Sequence, residues 1–411
     1  MSLQMKQTSP AKEMAEMFSK ILDIPVLGNN KARGFVPTVG SDVGSVEGNG
    51  ESQVGQGNIV IVGVGGCGSN TVETLAKLKV KGIKLVAINT DKHHLDGVEV
   101  PNKILIGESI TNGLGAGGIP EVARACAEHD AHKISEALGN RPDLVFIAAG
   151  MGGGTGTGAA PVVAKIAKDK GAKVIGFVTM PFRTEGRHKM RIAQEGVKQL
   201  RKWADTVVLI SNDKLLQLAG DLSVDEAFKM ADLTLATMVK GIAEIIWRRT
   251  MMNIDLNDIK LLMSAGGVAA VGIGQSSDPK RRASEAVKMA LRNQLIDISP
   301  DGARGALIVV YGGNLKLNEV YEISEIVTSR MSSDAIVKIG ADTDPSLGDT
   351  LRVILLLTGV KSPDILGGNS IAPKRPALVS SSLSGDGGFR FGKEVDIDSI
   401  SDILGGELGF I

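Results

Sequence analysis

The sequence predicts an α/β protein in which a parallel sheet, a long central helix and a second, smaller α/β domain follow one another. Three observations lead to this prediction. Short apolar runs alternate with helical segments through the first half, an unbroken helical period follows, and further strand candidates come after it. Strands separated by helices form βαβ units, whose parallel sheet is covered on both faces.

The first half contains six strand candidates. They read NIVIVGV from residue 58, GIKLVAINT from 82, KILIG from 103, DLVFIAAG from 143, AKVIGFVTM from 172 and TVVLI from 206. Helices are expected between them, including one from about Gly118 to Ala137 and one through Arg191 to Leu200. Ligands of such sheets bind beyond the carboxyl ends of the strands, so the loops there are the candidate site.

A long helix is expected from about Val224 to Thr250. Apolar residues recur through it with a period of 3.6, and at about 1.5 Å per residue it spans roughly 40 Å, enough to bridge two domains. The second domain, at 251–360, contains the strand candidates GGVAAVGIG, GALIVVYGG, AIVKIGAD and RVILLLTG and helical runs at 280–296 and 316–330.

The two ends of the chain differ from this pattern. Residues 1–57 are expected to form an N-terminal tail, with an amphipathic helix around Met14–Leu22 and a linker rich in Gly, Ser, Asn and Val. Residues 361–393 collect Ser, Pro and Gly, as flexible linkers do. Residues 394–411 alternate acidic and apolar side chains and resemble a tethered recognition peptide.

Bulk composition excludes several classes of protein. Lys plus Arg and Asp plus Glu both number 46 in a chain of 411 residues, and aromatic residues make up only 3%. Neither a basic field nor stacking platforms for nucleic acid are therefore expected. Cys67 and Cys126 lack metal or disulfide spacing, which favours a reducing compartment. No apolar run approaches the ~18 residues of a membrane span and no signal peptide is evident, so a cytoplasmic protein is expected.

Residues 152–158 read GGGTGTG and directly follow the strand DLVFIAAG. Glycine leaves backbone N–H groups open to close approach, and the two threonines add hydroxyls. The helical segment that follows directs the positive end of its dipole at the same place. Glycine runs also occur in linkers that bind nothing, but linkers are rarely flanked by a buried strand and an amphipathic helix. The sequence therefore predicts a phosphate cradle here.

Two further glycine loops help to distinguish a dinucleotide ligand from a nucleoside triphosphate. GVGGCGSN at 63–70 has the GxGxxG spacing of a dinucleotide fold, and Asp91 ends the next strand, which alone favours an NAD(P) enzyme. The additional loops, GLGAGG at 113–118 and the run at 152–158, count against that alternative. A dinucleotide needs one tight glycine turn, whereas three loops at successive strand ends indicate a triphosphate surrounded by main-chain donors.

With these loops in place, residues 58–360 resemble FtsZ, the prokaryotic relative of tubulin. Further matches in family order are NTD at 89–91, PFRTEG at 181–186, SNDKLL at 211–216, FKMAD at 228–232 and NIDLND at 253–258. The resemblance implies a tubulin/FtsZ-like fold with a GTP-binding domain at 58–223, a core helix at 224–250 and an activation domain at 251–360. It also implies GTP or GDP with Mg²⁺ as ligands.

The resemblance assigns roles to individual residues. Glu185 would bond the ribose, Asn212 the ribose or base, Phe228 would stack on guanine, and Asp232 would accept the N–H donors of the base. The remaining binding residues expected from the motifs are Gly65, Gly66, Cys67, Gly68, Asn70, Asp91, Gly115, Ala116, Gly117, Gly118, Gly152, Gly153, Gly154, Thr155, Gly156, Thr157, Gly158 and Lys189. Lys189 stands where the family usually has Arg. The compact charge of a lysine ammonium therefore replaces a planar guanidinium that can donate two parallel hydrogen bonds. Cys67 stands where glycine is common.

The loop after the core helix supplies the candidate catalytic residues Asn253, Asp255 and Asp258. By themselves the two aspartates fit an ordinary helix start, since Asp is a good cap and suits the dipole. The resemblance implies instead that they enter the nucleotide site of the next subunit and position the attacking water. Hydrolysis would then require assembly, and loss of either carboxylate would leave binding and polymerisation while removing most turnover.

The function expected from the sequence is a self-assembling GTPase of a head-to-tail cytoskeletal filament at the mid-cell division ring. A membrane adaptor protein is expected to bind the C-terminal peptide. Two alternatives stay open at this point: a nucleotide-binding scaffold without turnover, and an NAD(P) oxidoreductase. His129 and His132 in EHDAH superficially resemble a metal pair, but solvated histidines on a surface helix are the expectation.

Overall fold

The computed structural model describes residues 58–78, 80, 82–213, 224–247, 252, 254–264, 268–292 and 301–360. The N-terminal tail at 1–57, the linker and recognition peptide beyond residue 360, Asn253 and the expected end of the core helix at 248–250 lie outside the described residues. Expectations for those segments therefore stay predictions.

The described chain contains ten strands and eleven α-helices. The strands are β1 Ile59–Val64, β2 Lys84–Asn89, β3 Asn102–Leu105, β4 Leu144–Gly150, β5 Lys173–Met180, β6 Thr206–Ser211, β7 Val268–Ser276, β8 Gly305–Gly312, β9 Ile336–Thr343 and β10 Leu351–Val360. The helices are α1 Gly65–Lys77, α2 Lys92–Gly97, α3 Glu108–Thr111, α4 Pro120–His129, α5 Ala131–Leu138, α6 Gly154–Asp169, α7 Arg187–Leu200, α8 Val224–Trp247, α9 Leu256–Ser264, α10 Arg282–Leu291 and α11 Leu317–Thr328.

All ten strands belong to one sheet, in the order β3-β2-β1-β4-β5-β6-β7-β10-β8-β9. The sheet is parallel from β3 to β7, and β10 runs antiparallel to both of its neighbours, β7 and β8. The predicted α/β class with a mainly parallel sheet is confirmed. The strands of the second half extend the first sheet, because β7 pairs with β6 through Val207–Val268 and Val208–Ala269.

The order of strands creates a switch point between β1 and β4. From β1 the chain crosses to β2 on one side, and from β4 it crosses to β5 on the other side. Since such crossovers are right-handed, opposite directions place α1 and α6 on opposite faces of the sheet. A crevice opens at the carboxyl ends of the strands where the direction reverses, and this is where ligands of open parallel sheets bind.

The core follows from the apolar runs. Every residue of β1 is buried, as expected for a strand covered on both faces. The periodic face of α8 buries Leu235, Met238, Val239 and Ile242, as its spacing predicts. Within the described residues no helix combines the length and apolarity needed to cross a membrane.

Three helix boundaries differ from the sequence prediction. The glycine segments predicted as loops are partly helical, because α1 begins at Gly65 and α6 at Gly154. The single helix expected from about Gly118 to Ala137 is divided into α4 and α5 at Asp130. Asp130 is buried there and its carboxylate accepts a hydrogen bond of 2.6 Å from the Gly107 N–H, so a tertiary contact sets the break.

Candidate functional site

Two helices begin beside the switch point with bare N-termini. The starts of α1 and α6 have no side-chain cap and no acidic residue in the first turn. First-turn N–H groups lack partners within a helix, and the helix dipole makes this end positive. Two uncapped positive ends at one crevice suit an anion with several charges, such as a polyphosphate.

Glycine residues let the backbones of these two helix starts pack directly against each other. Gly65 has φ +74°, in the left-handed region, and a Cβ there would lie 2.9 Å from the Gly156 nitrogen. A Cβ on Gly68 would lie 2.2 Å from the Ala148 carbonyl oxygen. Any side chain at these positions would therefore separate the two helix ends or push α1 off the sheet.

A cavity of about 420 Å³ lies at these helix starts, within the range of roughly 300–1,000 Å³ common for small-molecule sites. We call it the glycine-lined cavity. Its predicted lining residues are Gly65, Gly66, Cys67, Asn70, Gly153, Gly154, Thr155, Gly156, Glu185, Lys189, Asn212, Phe228 and Asp232. The structure thus brings together residues that span more than 160 positions of sequence.

The cavity also includes residues to which the sequence analysis assigned no binding role. These are Val64, His94, Gly150, Met151, Thr179 and Pro181. His94 follows the NTD motif closely, and Thr179 and Pro181 stand at the end of β5, beside β4. The rule that ligands bind beyond the carboxyl ends of neighbouring strands is a signal that would have found Thr179, whereas Pro181 already belongs to the PFRTEG motif.

Several predicted residues lie behind the cavity wall or beside it. Gly158 is packed so closely that a Cβ would lie 2.0 Å from the Pro120 carbonyl oxygen, and the Thr157 hydroxyl accepts a 2.9 Å bond from the Gly152 N–H. The predicted residues that do not line it are Gly68, Asp91, Gly115, Ala116, Gly117, Gly118, Gly152, Thr157 and Gly158. Among them, Gly152, Thr157 and Gly158 support the start of α6 from behind the cavity.

The loop at 113–118 has a backbone that depends on glycine. Gly113, Gly115, Gly117 and Gly118 all have positive φ. The Gly115 N–H donates to the Thr90 carbonyl at 3.2 Å, which ties the loop to the end of β2. At Gly117 and Gly118 a Cβ would meet no atom within 4 Å, so this part of the loop borders open space.

One end of the cavity contains a buried carboxylate. Asp232 on α8 accepts a hydrogen bond of 3.2 Å from the Asn70 amide and one of 3.6 Å from the Cys67 thiol. Burial raises the pKa of Asp232 to about 6, and the two hydrogen bonds partly oppose that rise. Phe228 lies one helical turn before Asp232, is 46% exposed, and meets Phe182 edge to face with ring centroids 5.4 Å apart. An exposed ring beside a carboxylate can hold a planar base that offers N–H donors.

Cys67 is an unreactive thiol in this setting. Burial, helped by the negative charge of Asp232, raises its pKa to about 12. A thiol is nucleophilic only as thiolate, so Cys67 stays protonated and serves as a donor to Asp232. Cys67 and Cys126 are both free, as their spacing predicts.

Glu185 lies on another wall of the cavity with both carboxylate oxygens occupied. One oxygen accepts a 2.8 Å bond from the Phe182 N–H, and the other pairs with the ammonium of Lys189. Lys189 is four residues later on α7, so it reaches Glu185 across one turn. The lysine therefore fixes the orientation of the glutamate and places a positive charge at the cavity.

The predicted catalytic aspartates cap α9. Asp255 precedes the helix and its Oδ1 accepts a 2.7 Å bond from the Asp258 N–H, while the Asp255 N–H donates to Asp258 Oδ2 at 3.3 Å. Lys338 on β9 reaches Asp258 Oδ1 at 2.5 Å. The capping geometry that the sequence allows is thus present, and neither aspartate lines the glycine-lined cavity.

The described residues offer no ready-made metal centre, since no group of three or more His, Cys, Asp or Glu side chains converges. His129 and His132 are exposed on α4 and α5, and His129 contacts the Ser109 hydroxyl at 3.2 Å. This geometry agrees with the expectation of solvated histidines.

Two glycine substitutions should separate a folding role from a ligand-binding role. Gly156→Ala should destabilise the protein by at least about 3 kcal/mol, because its Cβ would lie 2.3 Å from the Gly150 carbonyl oxygen. Gly153→Ala should cost within about 1 kcal/mol, since its φ is −89° and no atom lies within 4 Å of the new Cβ. Chemical denaturation measures both.

Anion binding then distinguishes the two positions. Gly153→Ala should keep its stability and bind triphosphate more weakly, because the added methyl group occupies space at the start of α6. Equal triphosphate affinity in wild type and Gly153→Ala would contradict the assignment of this helix start as the anion seat.

Comparison with known proteins gives consistent matches over most of the chain. The model of the tubulin/FtsZ family, GTPase domain, matches residues 58–220, and that of the FtsZ family, C-terminal domain, matches residues 267–361. "Cell division protein FtsZ 2" of Methanocaldococcus jannaschii is 46% identical over 328 residues, covering 79% of this chain and 86% of that protein. "Cell division protein FtsZ 1" of Thermococcus kodakarensis is 45% identical over 308 residues, covering 75% and 82%.

Solved structures agree with the sequence matches. An empty FtsZ dimer from M. jannaschii superposes with a TM-score of 0.71 at 44% identity, covering 75% of this chain and 89% of that one. The GTPγS-bound protofilament of CetZ2 from Haloferax volcanii superposes with a TM-score of 0.65 at 25% identity, covering 74% and 93%.

Proposed function

The chain belongs to the tubulin/FtsZ family, with an FtsZ-type C-terminal domain, and from this membership we propose that it is a filament-forming GTPase. In this proposal each subunit binds GTP in the glycine-lined cavity. Subunits assemble head to tail, and each hydrolyses GTP with carboxylates supplied by its neighbour. The single observation that carries the proposal is the separation of Asp255 and Asp258 from the cavity within one subunit.

The two ends of β4 support this separation. Gly150, at the carboxyl end of β4, lines the cavity, whereas Asp143 immediately precedes the other end. Lys260 of α9 reaches Asp143 Oδ1 at 3.4 Å, so the helix capped by the aspartates lies at the amino end of the strand. Seven residues of strand at about 3.3 Å each separate the two ends by roughly 20 Å. One subunit alone therefore cannot apply these carboxylates to its own nucleotide.

Exposed apolar residues lie near both parts of the divided site. Leu114 is 83% exposed and Ile119 51% exposed on the loop beside the cavity, and Leu261 is 48% exposed on α9. Contact between two different faces of identical subunits is heterologous and does not close, so it propagates into a filament. Assembly would cover these apolar side chains while completing the site.

Within the cavity, each wall suits a part of GTP. The starts of α1 and α6 would bind the phosphates, Glu185 and Asn212 the ribose region, and Phe228 with Asp232 the guanine. The carboxylate of Asp232 accepts two N–H donors that guanine has and adenine lacks. Across the contact, Asp255 would orient a water toward the γ-phosphate, which is mainly a matter of positioning.

Magnesium fits this site only as an ion carried by the nucleotide. The described residues provide no cluster of three ligating side chains, and Mg²⁺ in nucleotide sites is commonly bound by phosphates, waters and one or two carboxylates. Asp91, at the start of α2 and in contact range of Gly115, is the carboxylate of this chain that we assign to its hydration shell. When bound, the ion would neutralise charge on the phosphates.

Other parts of the proposal concern organisation and partners. We propose the boundaries 58–223, 224–250 and 251–360 for the nucleotide-binding domain, core helix and activation domain. We also propose that residues 394–411 bind a membrane adaptor protein and that the filament lies in the mid-cell division ring. Deleting residues 395–411 and imaging the protein in dividing cells tests the adaptor, because retained localisation would remove it.

Phosphate release measured at increasing protein concentration tests the central proposal. We expect turnover per subunit to be near zero in dilute solution and to rise steeply where sedimentation detects filaments, because assembly completes the site. Turnover per subunit that stays constant across this range would overturn the shared site. Absence of phosphate release from assembled filaments would favour the scaffold alternative.

The comparisons count against the oxidoreductase alternative, because the family model that matches residues 58–220 is that of a GTPase domain. Chromatography of the nucleotide that copurifies with the protein provides a direct check. Guanine nucleotide supports the proposal, and NAD(P) would contradict it.

A further inference from the structure

The segment that carries the two aspartates is attached to strand β9 at three points. The Met252 N–H donates to the Ala341 carbonyl at 3.1 Å. Ile254 is buried against Gly340, where a Cβ would lie 2.6 Å from its Cδ1. The third contact is the 2.5 Å ion pair between Lys338 and Asp258. Residues 338 and 340 share one face of the strand, so two of the three contacts come from that face, and the third is a main-chain bond along the strand.

The hydrogen bonds divide the two carboxylates into different roles. Asp258 has both oxygens occupied, Oδ1 by Lys338 and Oδ2 by the Asp255 N–H. Asp255 has Oδ1 occupied by the Asp258 N–H, and its Oδ2 has no partner among the described residues. Asp255 is also the more exposed of the two. The oxygen free to meet a water from outside the subunit is therefore Asp255 Oδ2.

We propose that Lys338 is a positioning residue for hydrolysis, acting through Asp258 on Asp255. This inference rests on the proposed function, because it assumes that the aspartates reach the triphosphate of the next subunit. Lys338 holds Asp258, Asp258 holds the backbone and side chain of Asp255, and Asp255 presents its free oxygen. No motif identified in the sequence includes Lys338.

The charge of Lys338 gives it a second effect at the same place. Without it, two carboxylates would approach a triphosphate that is itself strongly anionic, and like charges at short range repel. With it, one of the two negative charges is offset within the subunit before assembly. Lys338 should therefore ease the approach of the acidic segment as well as fix its geometry.

Lys338→Met is the main test, with phosphate release and sedimentation measured on the same full-length protein. We expect turnover per assembled subunit to fall roughly tenfold or more, since a misplacement of about 1 Å can cost up to about 10²-fold. The affinity of the dilute, unassembled protein for GTP should stay unchanged, because Lys338 does not line the cavity. The critical concentration for assembly should rise at low salt and return toward wild type as added salt screens the repulsion.

Lys260→Met is the matched control. Lys260 and Lys338 are both 32% exposed and each pairs with one aspartate, but the partner of Lys260 is Asp143. The control removes the same charge from the same region while leaving the contacts of Asp255 and Asp258 in place, and should keep turnover per assembled subunit within about twofold of wild type. Lys338→Arg, which keeps the charge, should recover much of the loss.

The outcomes separate this inference from the proposed function. Wild-type turnover that does not depend on concentration would overturn both. Concentration-dependent wild-type turnover with normal turnover in assembled Lys338→Met would overturn only the role of Lys338. Equal losses in Lys338→Met and Lys338→Arg, or an equal loss in Lys260→Met, would also overturn it. If Lys338→Met unfolds, Lys338→Gln, which keeps an N–H donor on a shorter, uncharged side chain, is measured by the same criteria.

Discussion

Asp255→Asn should leave the protein folded, able to bind GTP and able to assemble, while GTP turnover falls by roughly 10²-fold. The structure explains why asparagine is the informative replacement. The side-chain oxygen of asparagine can still accept the bond from the Asp258 N–H, so the cap of α9 is kept. What is lost is the negative charge and the proton-accepting ability of Oδ2. Alanine would remove both the cap and the charge and would confuse the two effects.

The measurement is phosphate release at a protein concentration where sedimentation shows equal filament mass for variant and wild type. Asp278→Asn is a matched control, because Asp278 also accepts backbone bonds at a chain turn, the one just before α10, with 2.8 Å bonds from the Lys280 and Arg281 N–H groups. It should hydrolyse at the wild-type rate. Wild-type turnover by assembled Asp255→Asn would show that the charge of Asp255 plays no part in hydrolysis.

A second diagnostic uses mixtures of subunits. Each site is proposed to combine the cavity of one subunit with the aspartates of its neighbour. A wild-type subunit therefore loses activity when the neighbour that faces its nucleotide is an Asp255→Asn subunit. Turnover per wild-type subunit should then fall in proportion to the fraction of variant in the filament. A site contained within one subunit would show no such fall.

The sequence predicted the site well where strands and glycine loops follow each other. Apolar runs such as Ile59–Val64 and Leu144–Gly150 are recognisable without tertiary information, because both faces of a parallel strand are buried. Once the strands are placed, their carboxyl ends define one edge of the sheet. The glycine runs could then be assigned to that edge from the sequence alone.

The sequence did not predict which glycines are helical. Gly65–Gly68 and Gly154–Gly158 lie in the first turns of α1 and α6, although glycine costs about 1 kcal/mol in a helix interior. Tertiary packing outweighs that cost, because Gly68 and Gly156 each fit against a carbonyl of β4 that any side chain would strike. Local propensity contains no information about such contacts.

Residues that hold other residues in place through long-range contacts could not be predicted from the sequence either. Lys338 lies 80 positions from Asp258 and carries no motif, so only the pairing of β9 with the acidic segment reveals it. The same holds for Asp130, whose contact with the Gly107 N–H divides α4 from α5. Long-range contacts of single polar side chains leave no periodic pattern in a sequence.

Asp232→Asn should change the base that the protein binds. Guanine presents two N–H donors to this position, and a carboxylate accepts both. Asparagine offers one acceptor and one donor, which matches xanthine, where a carbonyl replaces the amino group. Hydrogen bonds to a charged group contribute about 1.5–3 kcal/mol each, so GTP affinity should fall by roughly 10²-fold and XTP affinity should rise. Competition of GTP and XTP against a fluorescent nucleotide measures both.

The control is Asp213→Asn, because Asp213 lies next to a cavity residue in sequence but pairs with Arg183 at 3.2 Å and does not line the cavity. It should keep the wild-type preference for GTP. Unchanged base preference in Asp232→Asn would contradict the role assigned to Asp232.

The same carboxylate should give GTP binding a pH dependence that the variant lacks. Burial raises the pKa of Asp232 to about 6 in the free protein, and guanine requires the ionised form. Binding is therefore linked to loss of a proton, so GTP affinity should be constant well above pH 6 and fall up to tenfold per pH unit below it. In Asp232→Asn no proton is exchanged at this position, and the step near pH 6 should disappear. If the GTP affinity of the variant still fell below pH 6, the titrating group would not be Asp232. The pH dependence would then no longer support a contact between Asp232 and the base.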